Sequence, residues 1–151
     1  MHQTLEAIKT TRISFSYLLE KLPLDMLNTI PQGFRNNIVW NAGHCLAVGQ
    51  SLVYGISDTP FREDMNILKE FLPGTQPKNY KQDEVNFLIE RLRTSTRELE
   101  EDYINNIFGT FKTFKSKTRY EINDIESALT FDLFHEGYHM GIAVTMMKSL
   151  T

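Results

Sequence analysis

The sequence predicts an all-α protein, a four-helix bundle with longer connections and a short extra helix. Three observations predict it. Apolar residues recur every three to four positions through four long segments, and no segment carries a convincing strand alternation. Every proline falls between those segments rather than within them, as at Pro31-Gln32-Gly33 and Leu72-Pro73-Gly74. The chain of 151 residues is 41% hydrophobic and 23% charged, the balance of one ordinary globular domain, here residues 1–151.

The elements follow in order. Leu5, Ile8, Phe15, Leu19 and Leu22 mark one face of a first helix that fades before Pro23, because the residue preceding proline resists the α region. A connector follows, with one turn around Leu24–Leu27. The second helix starts at Asn36–Asn37, an N-cap signal, and runs through Ile38, Trp40, His44, Val48 and Leu52 to Tyr54 or Gly55. Pro60 opens a short helix over Arg62–Phe71, and Thr75–Tyr80 reads as loop.

A third long helix begins at Gln82 or Asp83, with Val85, Leu88, Leu92, Leu99 and Tyr103 on one face and Glu90, Arg91, Arg93 and Arg97 on the other. Phe108-Gly109-Thr110 breaks it. The stretch from Phe111 to Lys117 is a loop rich in aromatics and lysines. Asn123 and Glu126 resemble a capping box, and the fourth helix starts there. The four helices are expected to pack as an antiparallel bundle.

Bulk properties exclude several classes. A net charge of −3 argues against a nucleic-acid binder, which needs excess Lys and Arg. No apolar run spans a bilayer, and the first residues lack the apolar core of a secretion signal. One cysteine excludes an intrachain disulfide. Cytoplasmic is the expected location, with no membrane partner.

The fourth helix carries the informative motif, Phe134-His135-Glu136-Gly137-Tyr138-His139-Met140. Residues i and i+4 lie about 40° apart around a helix, so both imidazoles aim at one point. Asp132, His135 and His139 interrupt a stripe otherwise made of Ile122, Ile125, Leu129, Ile142, Met146 and Leu150. Burying polar groups without partners is costly, and a metal ion is the leading explanation. The string His-Glu-x-x-His also marks zinc proteases, but their third ligand is missing: the position six beyond His139 is Thr145, and no acidic residue follows Glu136. A di-iron bundle needs a second Glu-x-x-His unit, which the sequence lacks.

One further histidine interrupts a core stripe. His44, in Trp40-Asn41-Ala42-Gly43-His44-Cys45, completes a set of three nitrogen ligands with His135 and His139. Three such ligands leave coordination positions for water or substrate, and imidazoles suit zinc, nickel, iron or copper. The competing reading is a set of hydrogen-bonded core histidines.

The neighbours are sorted by angle. Asp132 either accepts the second ring N–H of His135 or caps a polar patch, and Glu136 has a surface or interhelix role. Asn41 and Tyr138 are rim candidates, Trp40 an apolar wall, and Cys45 a small core residue. His2 is expected to be solvated. Gly137 and Gly141 suggest close approach of another helix or chain.

The segments Asn36–His44, Leu52–Gly55 and His135–Gly141 together resemble the DinB-like superfamily, and the likeness covers nearly the whole chain. The resemblance implies a metal-binding four-helix bundle, with one histidine from the second helix and a His-x-x-x-His pair from the last holding a divalent ion. Relatives include enzymes that transfer low-molecular-weight thiols such as bacillithiol, and a mycothiol-dependent isomerase. They often form homodimers. A metal-dependent thiol S-transferase or hydrolase acting on a small molecule is therefore one expectation, and a non-catalytic, stress-related metal- or ligand-binding protein the other. Many relatives carry Asp three residues after the first metal histidine, where this chain has Ala47. Lys112, Lys115, Lys117 and Arg119 either meet the carboxylates of a thiol or form a solvated connection.

Overall fold

Local chemistry sets where each helix begins and ends. In the computed structural model, which describes residues 2–151, α1 spans Gln3–Lys21 and stops at Leu22, extended as a residue before proline must be. The single turn α2 (Leu24–Asn28) follows directly. The second long helix, α3 (Ile38–Gln50), starts at Asn37, whose side chain accepts the Trp40 N–H at 2.8 Å. It continues into one π-helical turn over Ser51–Gly55, closed by Ile56 N–H donating to the Ser51 carbonyl five residues back.

The short helix expected from Arg62 begins later, as α4 (Met65–Leu68), extended by a 3₁₀ turn over Lys69–Phe71. Asp64, not Pro60, is its start, because the Asp64 carboxylate caps the Asn66 N–H at 2.8 Å. The third long helix, α5, spans Gln82–Ile104. The last, α6 (Ile125–Leu150), is capped by Asp124 rather than Asn123. Asp124 accepts the Ser127 N–H at 2.7 Å, and Ser127 Oγ accepts the Asn123 and Asp124 N–H groups in return. Glu126, freed from the cap, binds His2 Nε2 at 2.8 Å, so His2 is docked rather than solvated.

The aromatic and basic stretch, expected as a loop, contains a small hairpin. Its strands, β1 (Phe114–Lys115) and β2 (Glu121–Ile122), pair antiparallel with Phe114 opposite Ile122. Two residues per strand are too few to display alternation. The turn closes through Ser116, whose N–H donates to the Tyr120 carbonyl and whose Oγ accepts the Tyr120 N–H.

Pairings between helices give their directions. From α1, Arg12 meets Ser95 and Glu20 meets Arg93, so α1 and α5 are antiparallel. His2 meets Glu126 and Arg12 meets Glu136, so α1 and α6 are parallel. Asn41 meets Met146 while Gly49 lies against Asp132, so α3 and α6 are antiparallel. It follows that α3 and α5 run the same way, a departure from the expected antiparallel bundle that the long connection after the second helix makes possible. The connection over residues 56–81 returns the chain to the starting end. No helix among the described residues is long and apolar enough to cross a membrane.

Two apolar clusters fill the bundle. One gathers Phe15, Leu19, Ile38, Leu46, Leu88 and Met146; the other gathers Leu5, Ile8, Val53, Leu99 and Leu129. Each fully buried large side chain stabilises the fold by about 1.5–3 kcal/mol. Between the clusters lies one polar layer: Arg12 from α1, Ser95 from α5, and Asp132 and Glu136 from α6, opposite Gly49 of α3.

Candidate metal centre

The α3–α6 interface brings His44, His135 and His139 together. One nitrogen from each lies within 4.8 Å of the others. The ring centroids are 5.0 Å apart for His44 and His135, and 4.6 Å for each of the other two pairs. Metal–imidazole bonds are about 2.0–2.1 Å long, so small side-chain rotations bring all three nitrogens onto one ion.

Hydrogen bonds fix two of the tautomers. His44 Nδ1 is 2.6 Å from the Phe71 carbonyl, which can only accept, so Nδ1 carries the proton and Nε2 the lone pair. The carbonyl reaches His44 because Gly43 has no side chain: a Cβ there would lie 2.4 Å from the Phe71 ring. His139 Nδ1 is 2.8 Å from Asn41 Oδ1. Asn41 Nδ2 donates to the Asn37 carbonyl at 2.8 Å, which orients the amide and leaves Oδ1 as the acceptor for His139. Nε2 of His139 is therefore also a free lone pair. Carbonyl and amide partners of this kind commonly orient metal-bound histidines. Nδ1 of His135 is buried without a hydrogen-bond partner among the described residues.

Burial keeps all three rings neutral. Desolvation lowers the pKa of His44, and takes His135 to about 4 and His139 to about 3, with the neighbouring imidazoles adding to the last two shifts. Neutral rings are the form that binds a metal. Trp40 stacks on His44 with centroids 4.4 Å apart, and its Nε1–H is held by Thr75 Oγ1 at 2.9 Å. The donor set, the fixed lone pairs and the unpartnered Nδ1 all fit a divalent ion.

The other expected neighbours fall differently. Of the two readings for Asp132, the ring contact with His135 is not made and the polar patch is: its Oδ2 is 3.2 Å from Arg12 Nη2. Glu136 is fully buried and lies 2.7 Å from Arg12 Nε, an interhelix pairing. Burial raises the pKa of both carboxyls, while the Arg12 charge opposes the rise. Gly49 makes room for them, since a Cβ there would approach Arg12 Nη2 to 2.8 Å. Ala47 is buried among apolar residues, and Cys45 is a core side chain whose thiol pKa is pushed up by burial. No other part of the described chain approaches Gly137 or Gly141, so within the molecule the expected close contact is absent.

A cavity of about 680 Å³ opens above the imidazoles, within the range of small-molecule sites. Val48 of α3, Leu52 of the π-helical turn, Phe131, Phe134 and Tyr138 of α6, and Phe114 of β1 form its apolar wall. Of the four basic loop residues only Lys117 lines it; Arg119 lines an adjoining cleft.

Tyr138 lines the cavity as expected of a rim residue, whereas Arg12, Phe71 and the phenylalanines of the wall carry roles the motif did not point to. Arg12 had a signal, because it stands in register between Ile8 and Phe15 on the apolar stripe of α1. Phe71 had none, because its carbonyl reaches His44 only through the path of a long connection.

Bundle and site together define a class: helical proteins whose facing helices converge three imidazoles that could hold a divalent ion beside an open cavity. A family model described as the DinB superfamily matches residues 7–143, and the chain belongs to that superfamily. No curated protein matches the sequence.

Proposed function

We propose that the chain holds one divalent ion with His44, His135 and His139 and transfers a low-molecular-weight thiol to a small electrophile in the adjoining cavity. The observation that carries this reading is a set of three neutral imidazoles opening onto a largely apolar cavity. Zinc, nickel or iron suits such a set. Held by His44, His135 and His139, such an ion would supply Lewis acidity that favours the deprotonated form of a thiol or water.

The chain's own residues do the rest. Phe71 and Asn41 hold two imidazoles in the binding tautomer, and Trp40 supports His44 from behind. The aromatic wall removes water from the electrophile, and Lys117 faces anionic groups at the rim. In the transfer, the thiol sulfur bonds to the electrophilic carbon, the leaving group departs with its electron pair, and the thiol proton passes to solvent. Hydrolysis is a weaker reading, because no carboxylate lines the cavity to serve as a base toward water, and Asp132 and Glu136 are engaged by Arg12. The reading extends to a cytoplasmic homodimer, for which sedimentation at micromolar concentration is the test.

A second reading, metal or ligand binding without turnover, is favoured by Ala47, which stands where many relatives carry Asp. The deciding experiment uses protein purified without chelator or metal-affinity resin. A stoichiometric ion, and thiol-dependent consumption of a haloalkyl electrophile that stops on metal removal, support the transferase. A stoichiometric ion with no turnover across thiols and electrophiles supports the second reading. Absence of a bound ion overturns the transferase and the metal-binding form of the second reading.

A further inference from the structure

The cavity above the imidazoles is lopsided in its chemistry. Three large side chains at its wall stay in contact with water: Phe114 is 45% exposed, Phe134 59% and Tyr138 60%. Exposed aromatics clustered at one opening mark a surface that binds something apolar. Their placement is built rather than incidental. Phe134 and Tyr138 lie one turn apart on α6, Phe131 packs against Phe134 with centroids 5.9 Å apart, and Tyr120 of the hairpin stacks on Phe131 at 5.5 Å.

Polar groups in the wall are few and mostly engaged. Ser116 and Thr118 hydroxyls bond each other at 2.9 Å, and Ser116 Oγ also accepts the Tyr120 N–H. No carboxylate lines the cavity. Between those two hydroxyl residues stands Lys117, exposed and without an ion-pair partner among the described residues. A cationic ligand would meet this ammonium with nothing to offset it. A polyhydroxylated ligand would leave buried hydroxyls unpaired against the aromatic wall. An aromatic ring bearing one negative charge satisfies both walls.

We propose that the cavity takes an aromatic small molecule carrying one anionic substituent, with the ring between Phe114, Phe134 and Tyr138 and the anion facing Lys117. This rests on the reading of the cavity as the substrate side of the histidine site, and narrows the electrophile to that class. Its recognition does not require the ion.

The single tryptophan provides the readout, since Trp40 stacks on His44 beside the cavity. Anilinonaphthalene sulfonate, titrated while exciting Trp40, is expected to bind one to one and to receive its energy. The uncharged N-phenylnaphthylamine serves as the comparison. Lys117→Met should weaken the sulfonate about five-fold at low ionic strength and leave the neutral probe unchanged. Phe134→Ala combined with Tyr138→Ala should weaken both probes about ten-fold. All three side chains are exposed, so the fold persists, which circular dichroism checks.

Binding unmoved by either set of variants overturns the inference, as does equal weakening of both probes by Lys117→Met. Metal-stripped wild type and His139→Ala separate this inference from the proposed function. Preference for the sulfonate that survives in both upholds the aromatic-anion site whatever becomes of the metal reading. Preference lost with the ion but retained in Lys117→Met assigns the anion to the ion and overturns the role of Lys117.

Discussion

At the scale of single residues, Asn41 turns a backbone position into a choice of tautomer. Its Nδ2 is spent on the Asn37 carbonyl, so its Oδ1 can only receive the His139 Nδ1–H. Asn41→Leu keeps the volume and removes the acceptor. Affinity for zinc is expected to fall about 10- to 100-fold, measured by competition with a chromophoric chelator. Wild-type affinity in that variant would mean that the ring needs no such orientation. Arg12 carries a different burden. One guanidinium serves two fully buried carboxyls and Ser95, joining three helices. Arg12→Met leaves those carboxyls without a counter-charge and is expected to cost about 3–5 kcal/mol in denaturant unfolding. Glu136→Gln should cost much less, because the amide keeps an oxygen acceptor for the Arg12 Nε–H and Asp132 remains as the counter-charge. Equal losses in the two variants would contradict that account.

At the scale of elements, the site depends on how closely the 3₁₀ turn at Phe71 approaches α3. Gly43 permits the approach, with its missing Cβ occupying space 2.4 Å from the Phe71 ring. Gly43→Ala must push Phe71 away and with it the carbonyl that holds His44 Nδ1. Metal affinity is expected to drop more than an alanine elsewhere on α3 would cause, and a measured Kd equal to wild type would count against the coupling. Elements of this kind differ in how far the sequence announces them. The four long helices were legible because three-to-four spacing repeats over many turns, as in Val85, Leu88 and Leu92. The histidine pairing on α6 was legible for the same reason. The hairpin was not, because its strands are two residues long. The start of α6 was displaced by one residue because Asp124 and Asn123 are both good caps, and only the Ser127 contacts decide between them. The parallel sense of α3 and α5 depends on where residues 56–81 travel, and periodicity carries no information about that.

At the scale of the molecule, two buried polar groups pull stability in opposite directions with pH. The histidines have folded-state pKa values depressed from 6.5, to about 4 for His135 and about 3 for His139. The unfolded chain therefore binds more protons below about pH 6.5, and stability falls as pH drops from there toward the folded values. Asp132 and Glu136 have raised values, so their contribution is present at low pH and declines as pH rises through them. The two effects together place maximum stability in a window near neutrality. A bound ion changes only one of them. It depresses the apparent pKa of its ligands further, so its stabilisation is present at neutral pH and is lost on acidification as protons compete for the three imidazoles. The carboxyl pair contributes alike to apo and holo protein and cancels in their difference. Thermal melts of both forms from mildly alkaline to mildly acidic pH should therefore converge as pH falls, with the steeper decline in the holo protein. Parallel curves would mean that an ion, if present, is held somewhere other than at His44, His135 and His139.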